Sequence, residues 1–124
     1  MSGSDLLGNG SDSQSGIIDE AHLKRMTLGD RGLERELLNI FVRQSATILD
    51  RVVSHDPVAT KAAAHTMIGS ARGIGAWRVA TAAEQLERAV GQGDEESVDE
   101  AIAALKSASA EVSAAIAARI SDYA

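Results

Sequence analysis

The stretch that decides the fold runs from Thr60 to Gly75 and reads TKAAAHTMIGSARGIG. Its apolar residues recur at the spacing of a helix, in which successive residues turn by about 100°. With His65 set at zero, three residues lie at roughly 140° to 200° and are predicted to face the core: Ala63, Met67 and Ser70. The helix therefore turns His65 away from the core, into solvent.

The exposed face of this helix carries more than the histidine. Lys61, Gly69 and Arg72 all lie within about 40° of His65. A glycine inside a helix costs roughly 1 kcal/mol relative to alanine, and close helix packing does not explain Gly69 on the solvent side. An exposed histidine or cation is often an ordinary solvated residue. Their combination with Gly69 favours a site in which an anion meets an accessible imidazole.

Capping signals divide the rest of the chain into further helices. Aspartate is a favoured N-cap residue, and four predicted helices follow one: Asp19, Asp30, Asp56 and Asp94. The fourth of the five predicted helices starts near Trp77. The first four are predicted to end near Thr27, Ser54, Arg72 and Val90. Gly73 and Gly75 are predicted to end the third helix.

Apolar stripes along these helices are expected to form the core. The second helix offers Leu33, Leu37, Phe41, Ile48 and Val52; the fourth offers Val79, Ala83, Leu86 and Val90; the last offers Val98, Ile102, Leu105, Val112 and Ile116. Short connections between long amphipathic helices imply antiparallel neighbours. We therefore predict an all-α fold, an antiparallel up-down-up-down four-helix bundle with a short extra N-terminal helix. Residues 17–124 form this domain, and residues 1–16, rich in Gly, Ser and Asp, are predicted to be a disordered leader.

Composition excludes several classes of function. The chain has 124 residues, of which only 2% are aromatic. Its net charge of −6 disfavours nucleic acid and anionic lipid as partners. It has no cysteine, so disulfides, thiolate zinc sites and cysteine nucleophiles are excluded. No apolar run approaches the ~20 residues of a membrane span, and no signal peptide is apparent. We expect a cytoplasmic protein, without a membrane or nucleic-acid partner, that is monomeric.

The segment AAHTMIGSARGIGA resembles the signature of histidine-containing phosphotransfer (HPt) domains, approximately H-x-x-K-G-S/A followed by a further glycine. His65, Gly69, Ser70 and Gly75 match it. The resemblance extends from about Ile17 to the C-terminus. It implies a helical bundle of bacterial two-component phosphorelays.

The resemblance also implies roles for particular residues. The histidine that matches His65 accepts a phosphoryl group from an aspartyl phosphate on a receiver domain, or from a partner kinase, and passes it to another receiver. The position of Gly69 lets the partner approach closely. The position of Glu87 holds Gln or Glu, which in some members hydrogen-bonds the other imidazole nitrogen. A carboxylate there would fix the tautomer that leaves Nε2 free, although Glu87 could also be a solvated surface residue.

One position departs from the family pattern. The lysine usually found three residues after the histidine is replaced by Ile68. Lys61 or Arg72 could supply the missing charge, and the planar guanidinium of Arg72 suits phosphate better. Arg72 could either hold the phosphoryl group or steer docking of the partner. Alternatively, Ile68 belongs to a hydrophobic docking surface.

The expected function is that of a phosphoryl carrier without kinase activity of its own. The chain has no G-x-x-x-x-G-K-[ST] phosphate loop, and its histidines lack the paired spacing of a metal site. No cofactor is expected beyond Mg²⁺ brought by the partner receiver domain, which belongs to a response regulator or a hybrid histidine kinase. His22 and His55 are weaker candidates for the acceptor. The alternative is a helical adaptor that binds a kinase or response regulator without carrying phosphate.

Overall fold

The computed structural model describes residues 17–52 and 56–123, and these contain helices and no strand. The elements are α1 (Glu20–Thr27), α2 (Arg31–Asp50), α3 (Pro57–Ile74), α4 (Trp77–Gln92) and α5 (Glu95–Tyr123). Helices α2 to α5 pack in a ring in chain order, and α1 packs against α2 and α3. The predicted four-helix bundle with a short extra helix is thus confirmed. The predicted leader and His55 lie outside the described residues.

Three aspartates start helices as predicted. The carboxylate of Asp19 accepts a hydrogen bond from the His22 amide at 3.0 Å. Asp30 caps α2 in the same way, and Asp56 caps α3, with Pro57 in its first turn. Each bond joins residues three apart, so each cap is a local feature that a sequence can reveal.

The ends of three helices differ from prediction. α4 extends to Gln92, past its predicted end near Val90. α2 ends at Asp50, earlier than the predicted end near Ser54. α3 continues through Gly73 to Ile74 and stops only at Gly75, whose φ of 77° lies in the left-handed region. A Cβ at Gly75 would also lie 2.9 Å from the Cβ of Asp19. Gly75 is therefore needed both to end α3 and to let the start of α1 pack there, whereas Gly73 is an ordinary helical residue.

The buried stripe of α2 also differs in part. Phe41, Ile48 and Val52 are buried as predicted, but Leu33 is 42% exposed and Leu38 is fully buried. Leu33 lies in the first turn of α2, ahead of the buried stripe. The predicted apolar stripe of α5 is buried throughout: Val98, Ile102, Leu105, Val112 and Ile116.

α5 is long and apolar enough, by length and composition, to cross a membrane. Its large apolar residues, however, form one stripe that packs into the bundle against α4 and α2. A core helix of a bundle has the same composition, so this feature is weak evidence for a membrane span.

An ion-pair cluster fastens α1 to the end of α5. Arg119 donates from its two terminal nitrogens to the Glu20 carboxylate at 2.6 and 2.7 Å. Its Nε donates to Glu34 on α2 at 3.1 Å. The hydrogen bonds from Arg119 to Glu20 raise the pKa of its guanidinium. One side chain therefore connects three helices.

Candidate functional site

His65 lies near the middle of α3, and its side chain is 79% exposed. Ala63 and Met67 are buried on the other side of the helix, as predicted. The buried arc of α3 is wider than predicted, because α3 packs between α2 and α4 and also buries Ala64. Ser70 lies at the edge of this arc, half-buried, with its hydroxyl donating to Gln44 of α2 at 3.2 Å.

The structure corrects the prediction for Ile68. This side chain is only 7% exposed and belongs to the hydrophobic core. The core arc of α3 extends toward α4, and Ile68 lies within that extension. Ile68 therefore helps to hold α3 in place and does not form part of an exposed docking surface.

Glu87 of α4 lies beside the imidazole. Its Oε2 is 3.4 Å from Nδ1 of His65, an ion-pair distance longer than a strong hydrogen bond. A carboxylate can only accept a hydrogen bond, so this placement favours the tautomer that carries its proton on Nδ1. In the neutral ring Nε2 then keeps its lone pair, and the exposure of the side chain leaves that atom open to a partner.

Gly69 lies one turn after His65 and is exposed. A Cβ added there would meet nothing within 4 Å. Packing among the described residues therefore gives no reason for a glycine at this position. The same is true of Gly73, one further turn along the same side of α3.

A shallow cavity of about 240 Å³ lies between α2 and α3, and it was not predicted from the sequence. Ala62 and Thr66, which flank His65 on one side, belong to its lining together with Ile48, Arg51, Ala59 and Ala63. Small side chains near the histidine were the available signal. The opening requires two helices to be placed side by side, and the sequence of one helix does not reveal it.

Comparisons with known proteins identify the family. The family model for the Hpt domain matches residues 36–116, a stretch that includes His65 and Glu87. The chain belongs to the Hpt domain family. Histidine phosphotransfer in phosphorelays is the activity of this family, whose members are carriers of phosphoryl groups. No curated protein matches the chain.

Solved structures share the Hpt fold. Histidine phosphotransferase ShpA from Caulobacter crescentus is 31% identical, with a TM-score of 0.57, over 85% of this chain and 99% of its own. A putative histidine-containing phosphotransfer protein from rice gives a TM-score of 0.74 at 17% identity, over 84% of this chain and 79% of its own. The maize histidine-containing phosphotransfer protein ZmHP2 gives 0.58 at 18%, over 86% and 88%.

The two cations expected near the site of this Hpt domain have different surroundings. Arg72 is 56% exposed, and its guanidinium pairs with Glu84 of α4. Lys61 is exposed and has no hydrogen bond or ion pair among the described residues. Arg72 is thus drawn toward α4, whereas the ammonium of Lys61 remains available.

Charge is distributed unevenly along the Hpt chain. Residues 31–75, which contain α2 and α3, have six Lys or Arg and four Asp or Glu, a net charge of +2. Residues 76–124 have four Lys or Arg and nine Asp or Glu, a net charge of −5. Within the described residues, no group of three or more His, Asp or Glu side chains could hold a metal ion.

Proposed function

We propose that His65 is the residue that carries the phosphoryl group, on its Nε2 atom. The observation that supports this most directly is an exposed imidazole whose Nδ1 faces the carboxylate of Glu87 at 3.4 Å. The group comes from an aspartyl phosphate on a receiver domain or from a partner kinase. It then passes to an aspartate of another receiver domain.

The transfer step has a simple balance of bonds. The lone pair of Nε2 attacks phosphorus while the bond from phosphorus to the aspartyl oxygen breaks, and its electron pair remains on the carboxylate. The ring becomes a phosphoimidazolium whose Nδ1 proton faces Glu87. Transfer onward reverses these changes. Glu87 therefore orients the ring before attack and stabilises its positive charge afterwards.

We propose that the partner supplies the rest of the chemistry. Phosphoryl transfer depends on in-line positioning and on charge stabilisation, and Mg²⁺ bound by the receiver would provide much of the latter. The domain itself acts as a carrier without kinase activity. Receivers that bind Mg²⁺ do so with carboxylates. We therefore expect a receiver to approach residues 31–75, whose net charge is positive, in preference to the acidic residues 76–124.

The partners we propose are receiver domains of response regulators and of hybrid histidine kinases. Gly69 supports close approach of such a domain to the imidazole, because even an added Cβ would have open space around it. The bacterial origin, cytoplasmic location and monomeric state expected from the sequence stay predictions. Size-exclusion chromatography with light scattering checks the last of these.

The experiment that tests the proposal is a labelling assay with the full chain and a phosphorylated receiver. Wild-type protein is expected to gain acid-labile phosphate, and His65→Gln is expected to gain none while keeping its helicity. His22→Gln is the matched control and should be labelled normally. A protein that binds the receiver but is never labelled would instead be an adaptor, and undiminished labelling of His65→Gln would exclude His65 as the acceptor.

A second variant tests the role of Glu87. Glu87→Gln keeps an oxygen that accepts from Nδ1, whereas Glu87→Ala removes it. Transfer is expected to fall more in Glu87→Ala than in Glu87→Gln, with unchanged affinity for the receiver. Equal rates in both variants and in wild type would show that the carboxylate is a bystander.

A further inference from the structure

The phosphoryl group on His65 would have no cation at the position where the family signature has lysine, because Ile68 occupies that position. We infer that Lys61 takes this part and binds the phosphoryl oxygens from the N-terminal side of the histidine. This inference rests on the proposed function of His65. It concerns a residue that the signature does not contain.

The position of Lys61 on α3 supports the inference. Lys61 precedes His65 by four residues, and side chains at this spacing are neighbours with Cβ atoms about 5–6 Å apart. Side chains of a helix lean toward its N-terminus, so the imidazole leans over the turn that carries Lys61. The Lys61 side chain must extend against the same lean to meet the phosphoryl group, which its long flexible stem allows. A phosphoryl group on the outward nitrogen would therefore come within reach of the flexible lysine side chain.

The surroundings of Lys61 support it as well. Its side chain is exposed, and it makes no hydrogen bond or ion pair among the described residues. Binding a phosphoryl group would thus break no contact that the structure contains. The two added negative charges would attract the ammonium without cost from a competing carboxylate on α3, since the nearest acidic residue of that segment, Asp56, caps the helix start.

Arg72 is less suitable on both counts. It lies seven residues after His65, a rise of about 10.5 Å along the helix. Its side chain leans back toward His65, but the imidazole leans away from it, so the rise is only partly spanned. Its guanidinium is also paired with Glu84. To reach the phosphoryl group, Arg72 would have to leave this charge-assisted contact, which Lys61 does not have to do.

Arg88 of α4 is a further rival. It follows Glu87 directly and is exposed, but a step of one residue turns it about 100° away from Glu87 around α4. The experiment therefore includes it beside Lys61 and Arg72.

The test uses the full chain and potassium phosphoramidate, a small anionic donor, so that no protein docking contributes. Nε2 forms a bond to phosphorus, and the bond from phosphorus to the donor nitrogen breaks, which releases ammonia after protonation. Lys61→Met is expected to be labelled about threefold to fivefold more slowly than wild type, the size of an exposed charge interaction. The difference should shrink at high salt, and Lys61→Arg should recover most of the rate.

Three controls make the outcome decisive. Lys106→Met on α5 removes the same charge far along the chain, and it should be labelled at the wild-type rate, as should Arg72→Met and Arg88→Met. Wild-type labelling of Lys61→Met, or a slowing confined to Arg88→Met, would overturn the inference and leave the proposed function intact. If wild-type protein gains no label on His65, the proposed function fails and the inference falls with it.

Discussion

Two substitutions of Gly69, one turn after the histidine, test its effect on stability and its effect on function separately. Gly69→Ala measures the effect on stability. An added Cβ would meet nothing within 4 Å, so the methyl group introduces no clash. Alanine in a helix is favoured over glycine by about 0.5–1 kcal/mol. We therefore expect Gly69→Ala to raise the free energy of unfolding by about that amount, which corresponds to a Tm increase of about 2–4 °C for a domain of this size.

The assay is urea and thermal unfolding followed by circular dichroism, with Gly73→Ala as the matched control. Gly73 lies on the same side of α3, and a Cβ there would also meet nothing within 4 Å. Both substitutions should stabilise by similar amounts. Destabilisation by Gly69→Ala would refute the claim that nothing in the fold requires this glycine.

A longer side chain at position 69 tests whether Gly69 gives the receiver access to His65. Gly69→Gln keeps good helix propensity but places a bulky group one turn from the imidazole. Labelling by phosphoramidate should stay near the wild-type rate, whereas transfer from a phosphorylated receiver should fall at least tenfold. Normal transfer from the receiver would refute the role of Gly69 in access, whatever the stability result.

Three further predictions concern stability. The hydrogen bond from the Trp77 indole lowers the pKa of the Asp19 carboxyl below its ordinary value of 3.8. The contribution of Asp19 to the free energy of unfolding is therefore present above that pH and is lost as the pH falls through the lower pKa of the folded state. Asp19→Asn should reduce the pH dependence of the unfolding free energy, measured with urea, between pH 5 and pH 2.5, roughly the range over which such a group titrates. Arg119→Met should lower the unfolding free energy by about 1–2 kcal/mol, and Glu20→Gln by less, in the same assay. Ile68→Lys, which restores the family's residue, should cost about 1–3 kcal/mol because the site is buried, and an unchanged midpoint would show that a lysine fits there.

Local features of the fold could be predicted from the sequence. Asp19, Asp30 and Asp56 cap helices through bonds to residues three positions on, so a short window contains all the information. The family signature and the helical pattern likewise identified His65 as an exposed residue. The end of α3 was harder to predict, because Gly73 and Gly75 look alike in sequence and only Gly75 has a positive φ.

Features that depend on neighbouring helices could not be predicted. Ile68 is buried because α4 packs against its side of α3, and a single helical pattern cannot reveal how wide a buried arc will be. The pairing of Arg72 with Glu84 joins residues twelve apart on two helices. Leu33 was predicted to be buried and is exposed, whereas Leu38 is buried. This difference has the same origin, since the placement of α2 against its neighbouring helices decides which of its residues they cover.

The close approach of Gly75 to Asp19 has a consequence for how such domains are detected. The same short motif contains His65, which serves chemistry, and Gly75, which serves packing between α1 and the end of α3. A pattern search that weights these positions equally measures two independent properties with one score. A sequence that keeps Gly75 but has lost the histidine would still score well and fold alike. Assignment of phosphotransfer to a distant relative should therefore depend on the histidine position alone.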